Sequence, residues 1–383
     1  MNTQFTSTAR EDTPFSNEAA LEKRSLTPDF EWSTALVRTL SRADYLLGKL
    51  AQEMNHLSPL FISSLLLREA VASARLEGSR ATLREIFLNN TGAYTPLYPW
   101  EVKQIENYEK ALTYGIEQLK EESISLPLLQ KVQHVLEQDI AIPQGDPRKL
   151  RTNLRVIASV ASLLSKPHHK PLSQESFSES LEKLQLLFQD KLLPPLIQSA
   201  LCYSHCVTLA PSLGISPQVG RLLLNLALVD RKVLPFPLLS LSPYFEATRE
   251  TYDWPLDPSH RKGSLTEWLI YFINGVATQT EDTLDRLQRL SDLLSAWQTQ
   301  LTRAGTSVTR SIVQNLVKNP FLLTSNVARD LGVNYTTAQK AIHKLEAADV
   351  LKKIHESKWG RIYYAEEVLS ILERPAKVNA DFL

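Results

Sequence analysis

Some residue groups in this 383-residue chain have the types and spacing that could carry chemistry. Cys202, His205 and Cys206 stand three and four apart, so a helix would bring two thiols and an imidazole onto one face. Those donors suit zinc. A closed zinc site takes four ligands, though, and no second cluster stands elsewhere, so core packing is the simpler reading and no metal is expected. His168 and His169, flanked by Lys166 and Lys170, could bring a base to a nearby site, although a solvated loop explains them as well. Ser212 and Ser216 are hydroxyls with no sequence partner to activate them. Further on, Tyr335, Thr336, Thr337, Gln339, Lys340 and Lys344 fall on one predicted helix, with Lys352, Lys353, Lys358 and Arg361 just after it. Hydroxyl, amide and ammonium groups in that order can bond phosphates and base edges of duplex DNA. The same surface could instead meet a second copy, a different protein or the rest of the chain.

These groups need a scaffold, and composition says it is helical. Leucines are many and glycines only 12, with 43% of residues hydrophobic, enough for a sizeable core. Lys and Arg number 42, as do Asp and Glu, so any affinity for nucleic acid must come from a local face. Two cysteines cannot form a disulfide framework. The N-terminus is polar and unlike a signal peptide, and no apolar run reaches the roughly 20 residues that a membrane helix needs. A cytoplasmic protein of bacterial type, off the membrane, is expected.

Residues 1–27 read as a polar, mobile arm. Apolar spacing predicts helices over 32–55, 59–88, 99–119, 124–138, 173–189, 193–209, 217–231, 242–253 and 263–298, with a break near Gly78. Prolines mark 140–172 as a loop, with a short hairpin at 155–164. After a linker at 299–308, residues 309–376 predict three helices and a hairpin, with Thr324 and Asn334 as N-caps and Gly332 between the second and third helices. That order is a winged helix-turn-helix, followed by a tail at 377–383.

From about residue 30 to residue 300 the chain resembles the Fic family of nucleotide-transferring proteins. Residues 69–83, EAVASARLEGSRATL, carry Ser73, Glu77 and Gly78 in the positions of that family's inhibitory motif, (Ser/Thr)-x-x-x-Glu-(Gly/Asn), with Glu69, Thr82 and Leu83 fitting the longer pattern. His205 in YSHCVTLAP, Gly220 and Arg221 in GRLLLNLALVD, Ser242, Tyr244, Arg249 and Tyr252 in the helix after it, and the segment at 148–158 extend the likeness. The resemblance implies a mainly α fold: a Fic-like helical bundle with a small β-hairpin flap, followed by the winged helix. It divides the chain into an N-terminal helical region with the inhibitory helix (28–100) and a Fic-like core (101–298).

The departures fall where the family's chemistry lies. Its catalytic loop reads His-Pro-Phe-x-(Asp/Glu)-Gly-Asn-Gly-Arg-x-x-Arg; residues 210–221 here read APSLGISPQVGR. Ala210 replaces the general base and takes no proton. Gly214 replaces the acid that holds magnesium, a hard cation that needs oxygen ligands. Ile215, Ser216 and Pro217 replace the glycine-rich anion cradle, and proline removes one N–H donor. Pro211 is kept, Ser212 replaces the phenylalanine, and Gln218 replaces the first arginine. Arg221 remains. In relatives it binds the γ-phosphate or pairs with the inhibitory glutamate, so an ion pair between Glu77 and Arg221 is expected here.

The expectation is a non-catalytic Fic homologue acting as a DNA-binding or protein-binding regulator, with no catalytic residue and no cofactor. One alternative is an active protein adenylyltransferase that moves AMP from ATP, with magnesium, onto a protein hydroxyl using a substitute base. Another is an antitoxin-like or assembly partner of an active Fic protein. A homodimer fits any of the three.

Overall fold

The computed structural model describes residues 30–55, 58–93, 95–140, 174–249, 265–301, 306–354 and 361–378. The N-terminal arm, the hairpin expected at 155–164, His168, His169, Tyr252 and Lys358 lie outside them.

The first part of the chain is helical: α1 (Thr34–Met54), α2 (Pro59–Leu76), α3 (Leu83–Asn89), α4 (Pro99–Gln118), α5 (Leu126–Glu137), α6 (Gln174–Gln189), α7 (Pro195–Leu213), α8 (Pro217–Asp230), α9 (Ser242–Ala247) and α10 (Leu265–Leu301). Their starts follow local chemistry. Ser33 and Ser125 cap α1 and α5 by accepting from Leu36 N and Leu128 N. Thr82 and Glu85 form a reciprocal capping box at α3. Between α2 and α3 the chain turns at Gly78, whose φ of +103° suits a residue without Cβ.

α10 spans 37 residues and packs along α1, while α7 lies against α6 and α8. α2 sits among α4, α9 and α10, and buries Ser64, Arg68, Glu69 and Ser73 as well as its apolar residues. Buried polar groups on a helix need partners from its neighbours, and those partners build the site described below. Among the described residues no helix is long and apolar enough to cross a membrane.

The C-terminal module runs α11 (Ser307–Leu316), β1 (Phe321–Leu323), α12 (Thr324–Asp330), α13 (Tyr335–Ala347), β2 (Lys352–Lys353), β3 (Ile362–Tyr364) and α14 (Glu366–Glu373). Its strands form an antiparallel sheet in the order β1-β3-β2, with Leu322 opposite Tyr363 and Lys353 opposite Tyr363 on the other side. β1 and α14 were not among the expected elements. β1 is three residues long, too short to show an alternating pattern. Asn334 caps α13 by accepting from Thr337 N at 2.8 Å. Thr324 does not act as a cap: the chain passes directly from β1 into α12, so Thr324 is already helical and is buried. α10 continues to Leu301 and α11 starts at Ser307, so both helices reach into the stretch 299–308. One contiguous apolar core runs from Leu36 to Leu372 and takes in both parts of the chain.

Candidate functional site

Arg221 projects from the first turns of α8 into the end of α2, where it is 3% exposed. Its Nε donates to Ser73 Oγ at 2.9 Å, and its Nη2 donates to the Ser73 carbonyl at 3.2 Å and to Glu77 Oε1 at 2.7 Å. The guanidinium is thus held by the side chain and backbone of one serine and by one carboxylate. Both partners come from the α2 end, four residues apart on one helical face.

The turn after α2 keeps Glu77 in place. Glu77 is the C-cap residue, and Gly78 N and Ser79 N return to the carbonyls of Arg75 and Ala74 at 3.0 and 3.1 Å. Buried Glu101, on α4, accepts from Ser79 Oγ, Arg80 N and Tyr98 N. No spacing in the sequence pointed to Glu101, whose partners lie up to 22 residues away.

Behind Ser73 the polar network continues inward. Tyr108 hydroxyl bonds Glu69 Oε1 at 3.0 Å and also the Ser73 side chain. Glu69 further accepts from Ser242 N at 2.9 Å and from the Ser242 hydroxyl. Burial pushes the Glu69 carboxyl above the usual range, and the bonds from Ser242 and Tyr108 and the Arg221 charge only partly offset it. Arg75 pairs with Glu246 at 2.8 Å, and Arg249 Nη2 donates to the Leu76 carbonyl at 3.3 Å, so α9 also grips α2. Tyr244 packs over Gly275, where a Cβ would come within 2.6 Å of the ring.

The stretch 210–218 differs from the loop expected of it. α7 continues through Ala210, Pro211 and Ser212 to Leu213, and α8 begins at Pro217, so only Gly214, Ile215 and Ser216 lie between helices. Gly214 makes the turn with φ +65°. The one amide an anion would meet at Ser216 is taken: Gln133 Oε1 accepts from Ser216 N at 2.8 Å and from Ser216 Oγ at 2.9 Å. Gln218 is buried in α8, and its Nε2 has no hydrogen-bond partner among the described residues. Gly220 serves packing, since a Cβ there would lie 3.2 Å from Val207 and 3.3 Å from Tyr203 on α7.

Among the described residues, the groups a magnesium nucleotide would call on are replaced or already engaged. Position 214 offers no carboxylate, Ser216 N is bonded to Gln133, Pro217 lacks a donor, and Arg221 is engaged by Glu77. Cys202 and Cys206 are buried in the α7 packing, with His205 half-buried between them. Burial pushes the Cys202 thiol up to about 12 and Cys206 well above its ordinary value. His205 Nδ1 bonds the Leu201 carbonyl at 2.9 Å, and burial lowers its pKa.

In the C-terminal module, α13 buries Ala338, Ala341, Ile342 and Leu345 and exposes the opposite face. Thr336, Lys340 and Lys344 lie toward that face, Thr337 and Tyr335 (51% exposed) are exposed to either side of it in the first turn, and Gln339 is half-buried. Arg361 is exposed just before β3. Lys352 on β2 is paired with Glu366, which leaves its charge less available to an outside anion.

Residues 37–117 match the Fic/DOC family N-terminal domain, a span that takes in α2, Ser73, Glu77, Gly78, α3 and most of α4. The fold is similar to that of a Fic family protein from Desulfovibrio desulfuricans G20, with a TM-score of 0.51 at 12% identity, covering 88% of this chain and 98% of that one. Residues 37–117 thus carry the likeness to a Fic/DOC N-terminal domain, and the chain as a whole shares the fold of that Fic family protein.

Proposed function

We propose that this is a non-catalytic Fic protein whose nucleotide pocket has become a fixed strut, and that it acts as a regulator through its C-terminal module. The observation that carries the first half is the state of residues 210–221. A helix continues where a base and phosphate loop would be, Gln133 occupies the Ser216 amide, and Arg221 is locked to Ser73 and Glu77. Losing a general base costs about 10²–10⁴ in rate. Losing preorganised charge stabilisation costs roughly another 10²–10³. Incubation with labelled ATP and magnesium in lysate tests this: incorporation by the wild type that disappears in Arg221→Ala would overturn it.

The second half rests on element order and exposure. Helix, strand, helix, helix and two strands is the order of a winged helix, with α13 as its recognition helix. The exposed Tyr335, Thr336, Thr337, Lys340 and Lys344 suit the phosphates and groove edges of duplex DNA. Among the described residues α13 packs through its buried face mainly on α11 and α12, and its exposed residues are the ones offered to a partner. Titration with random duplex at two salt concentrations tests this; no binding at low salt would point instead to a protein partner.

A further inference from the structure

We propose that the C-terminal module clamps the inhibitory helix, gripping α2 upstream of Ser73 and α3 downstream of Gly78, and thereby holds Glu77 against Arg221. The consequence for the pocket rests on reading Glu77 as the seal over Arg221; the mechanical claim does not.

The upstream grip is a buried charge cluster. Arg68 on α2, 7% exposed, lies 3.4 Å from Asp282 on α10, which is fully buried. The same carboxylate accepts from Arg286 Nε at 2.8 Å and pairs with Arg374 at 3.4 Å. Arg286, also fully buried, donates onward to the carbonyls of Leu372 (3.3 Å), Arg374 (2.7 Å), Pro375 (3.3 Å) and Ile371. Ile371 and Leu372 are among the carbonyls that the end of α14 leaves without helical partners, and Arg374 and Pro375 follow directly on it. One aspartate therefore joins the inhibitory helix to the last turn of the C-terminal module. Buried charges of this kind fix geometry closely, because separating them strands an ion away from water.

The downstream grip is on α3. The Arg84 guanidinium lies 6.0 Å from the Phe321 ring centroid and 5.8 Å from that of Tyr364, on the neighbouring strands β1 and β3, and 3.7 Å from Glu373. Asn319 Nδ2 donates to the Phe87 carbonyl at 2.9 Å, and Asn326 Nδ2 to the Thr91 carbonyl at 2.7 Å. The module thus supplies donors to the open end of α3 and a ring pair to its start. Ser73, Glu77 and Gly78 lie between the two grips. Drawing Glu77 away from Arg221 moves the end of α2, and that movement strains contacts whose other half lies in residues 319–375.

Hydrogen exchange read by mass spectrometry on the full chain tests this. Asn326→Ala and the double variant Arg84→Ala/Asn326→Ala loosen the downstream grip without touching the pocket. In the double variant, amides across residues 77–91 are expected to exchange about tenfold faster, as local opening becomes cheaper, while α7 and α8 keep wild-type rates. Asn326→Ala alone gives a smaller acceleration in the same residues, and carries the test if the double variant does not fold. Wild-type rates across 77–91, or equal acceleration in α7 and α8, would overturn the clamp. The readout is independent of nucleotide chemistry, so its failure leaves the proposed loss of catalysis standing.

Discussion

Glu77 Oε1 sits 2.7 Å from Arg221 Nη2, across 144 residues of sequence, and the two side chains differ sharply in exposure: 1% for Arg221 and 20% for Glu77. The cation is the buried partner and the anion the wetter one. Removing the carboxylate therefore strands a charge away from water, whereas removing the guanidinium leaves a carboxylate that solvent can reach.

Glu77→Ala is expected to destabilise the fold by about 2 kcal/mol, below the value for breaking a fully buried pair because Ser73 still holds two guanidinium bonds and Glu77 is partly wet. Glu77→Gln keeps an acceptor and loses less. Urea unfolding of the three proteins measures the order; an unchanged midpoint in Glu77→Ala would show that the pair is not a strut.

That pair was legible in the sequence because both residues sit within patterns, a short helix motif and the start of α8. Gly78 was legible too, since glycine inside a helical pattern marks a break. Gln133, Glu101 and Arg286 were not. Each acts on backbone groups or side chains of elements distant in sequence, and nothing in its own neighbourhood says which orphan amide or carbonyl it will meet. The end of α7 was placed at 209, where the family's loop would begin, yet the helix runs through Pro211 to Leu213. α14 was missed because its eight residues follow directly on a strand.

The Asp282 cluster predicts an asymmetric response. Asp282 serves Arg286, Arg68 and Arg374, so Asp282→Ala leaves buried cations without their shared anion and is expected to cost about 3–5 kcal/mol. Limited proteolysis of Asp282→Ala should cut first within 366–378, the segment that Arg286 holds. Cleavage pattern and midpoint identical to wild type would mean the cluster does not anchor the module.

Glu109 on α4 gives a pH signature. Burial, with Glu106 nearby, raises its carboxyl to about 7 despite the Lys318 charge. A carboxyl raised on folding binds its proton more tightly in the native state. Its effect on stability is therefore constant below the ordinary value of 4.5, becomes less favourable as pH rises through the window to about 7, and levels off above it. Wild type should lose on the order of 1 kcal/mol relative to Glu109→Gln across that window, allowing for solvent screening at a half-buried site. Parallel profiles for the two proteins would contradict this.

On α13, Lys340 and Lys344 are exposed one turn apart and each is expected to meet a phosphate. Lys340→Ala/Lys344→Ala should weaken duplex binding about equally across sequences and reduce the logarithmic salt slope by about 2. Fluorescence anisotropy at several salt concentrations gives that slope, and an unchanged slope would place the DNA contact elsewhere or remove it.

Restoring the missing base should not restore transfer. Ala210→His supplies an imidazole where the family has one, yet Gly214 still offers no carboxylate to a cation, Pro217 still lacks an N–H, and Gln133 still holds the Ser216 amide. A general base contributes only when the reacting phosphate is positioned and its charge stabilised. Incubation of Ala210→His with labelled ATP and magnesium is therefore expected to give no more incorporation than wild type. The combination Ala210→His/Gly214→Asp/Gln133→Ala adds the cation ligand and frees the amide, but Pro217 still lacks an N–H and Glu77 still holds Arg221, so it too is expected to stay silent. Incorporation by Ala210→His alone would mean that the pocket binds nucleotide productively in spite of these contacts, and the strut reading of Arg221 would fall with it.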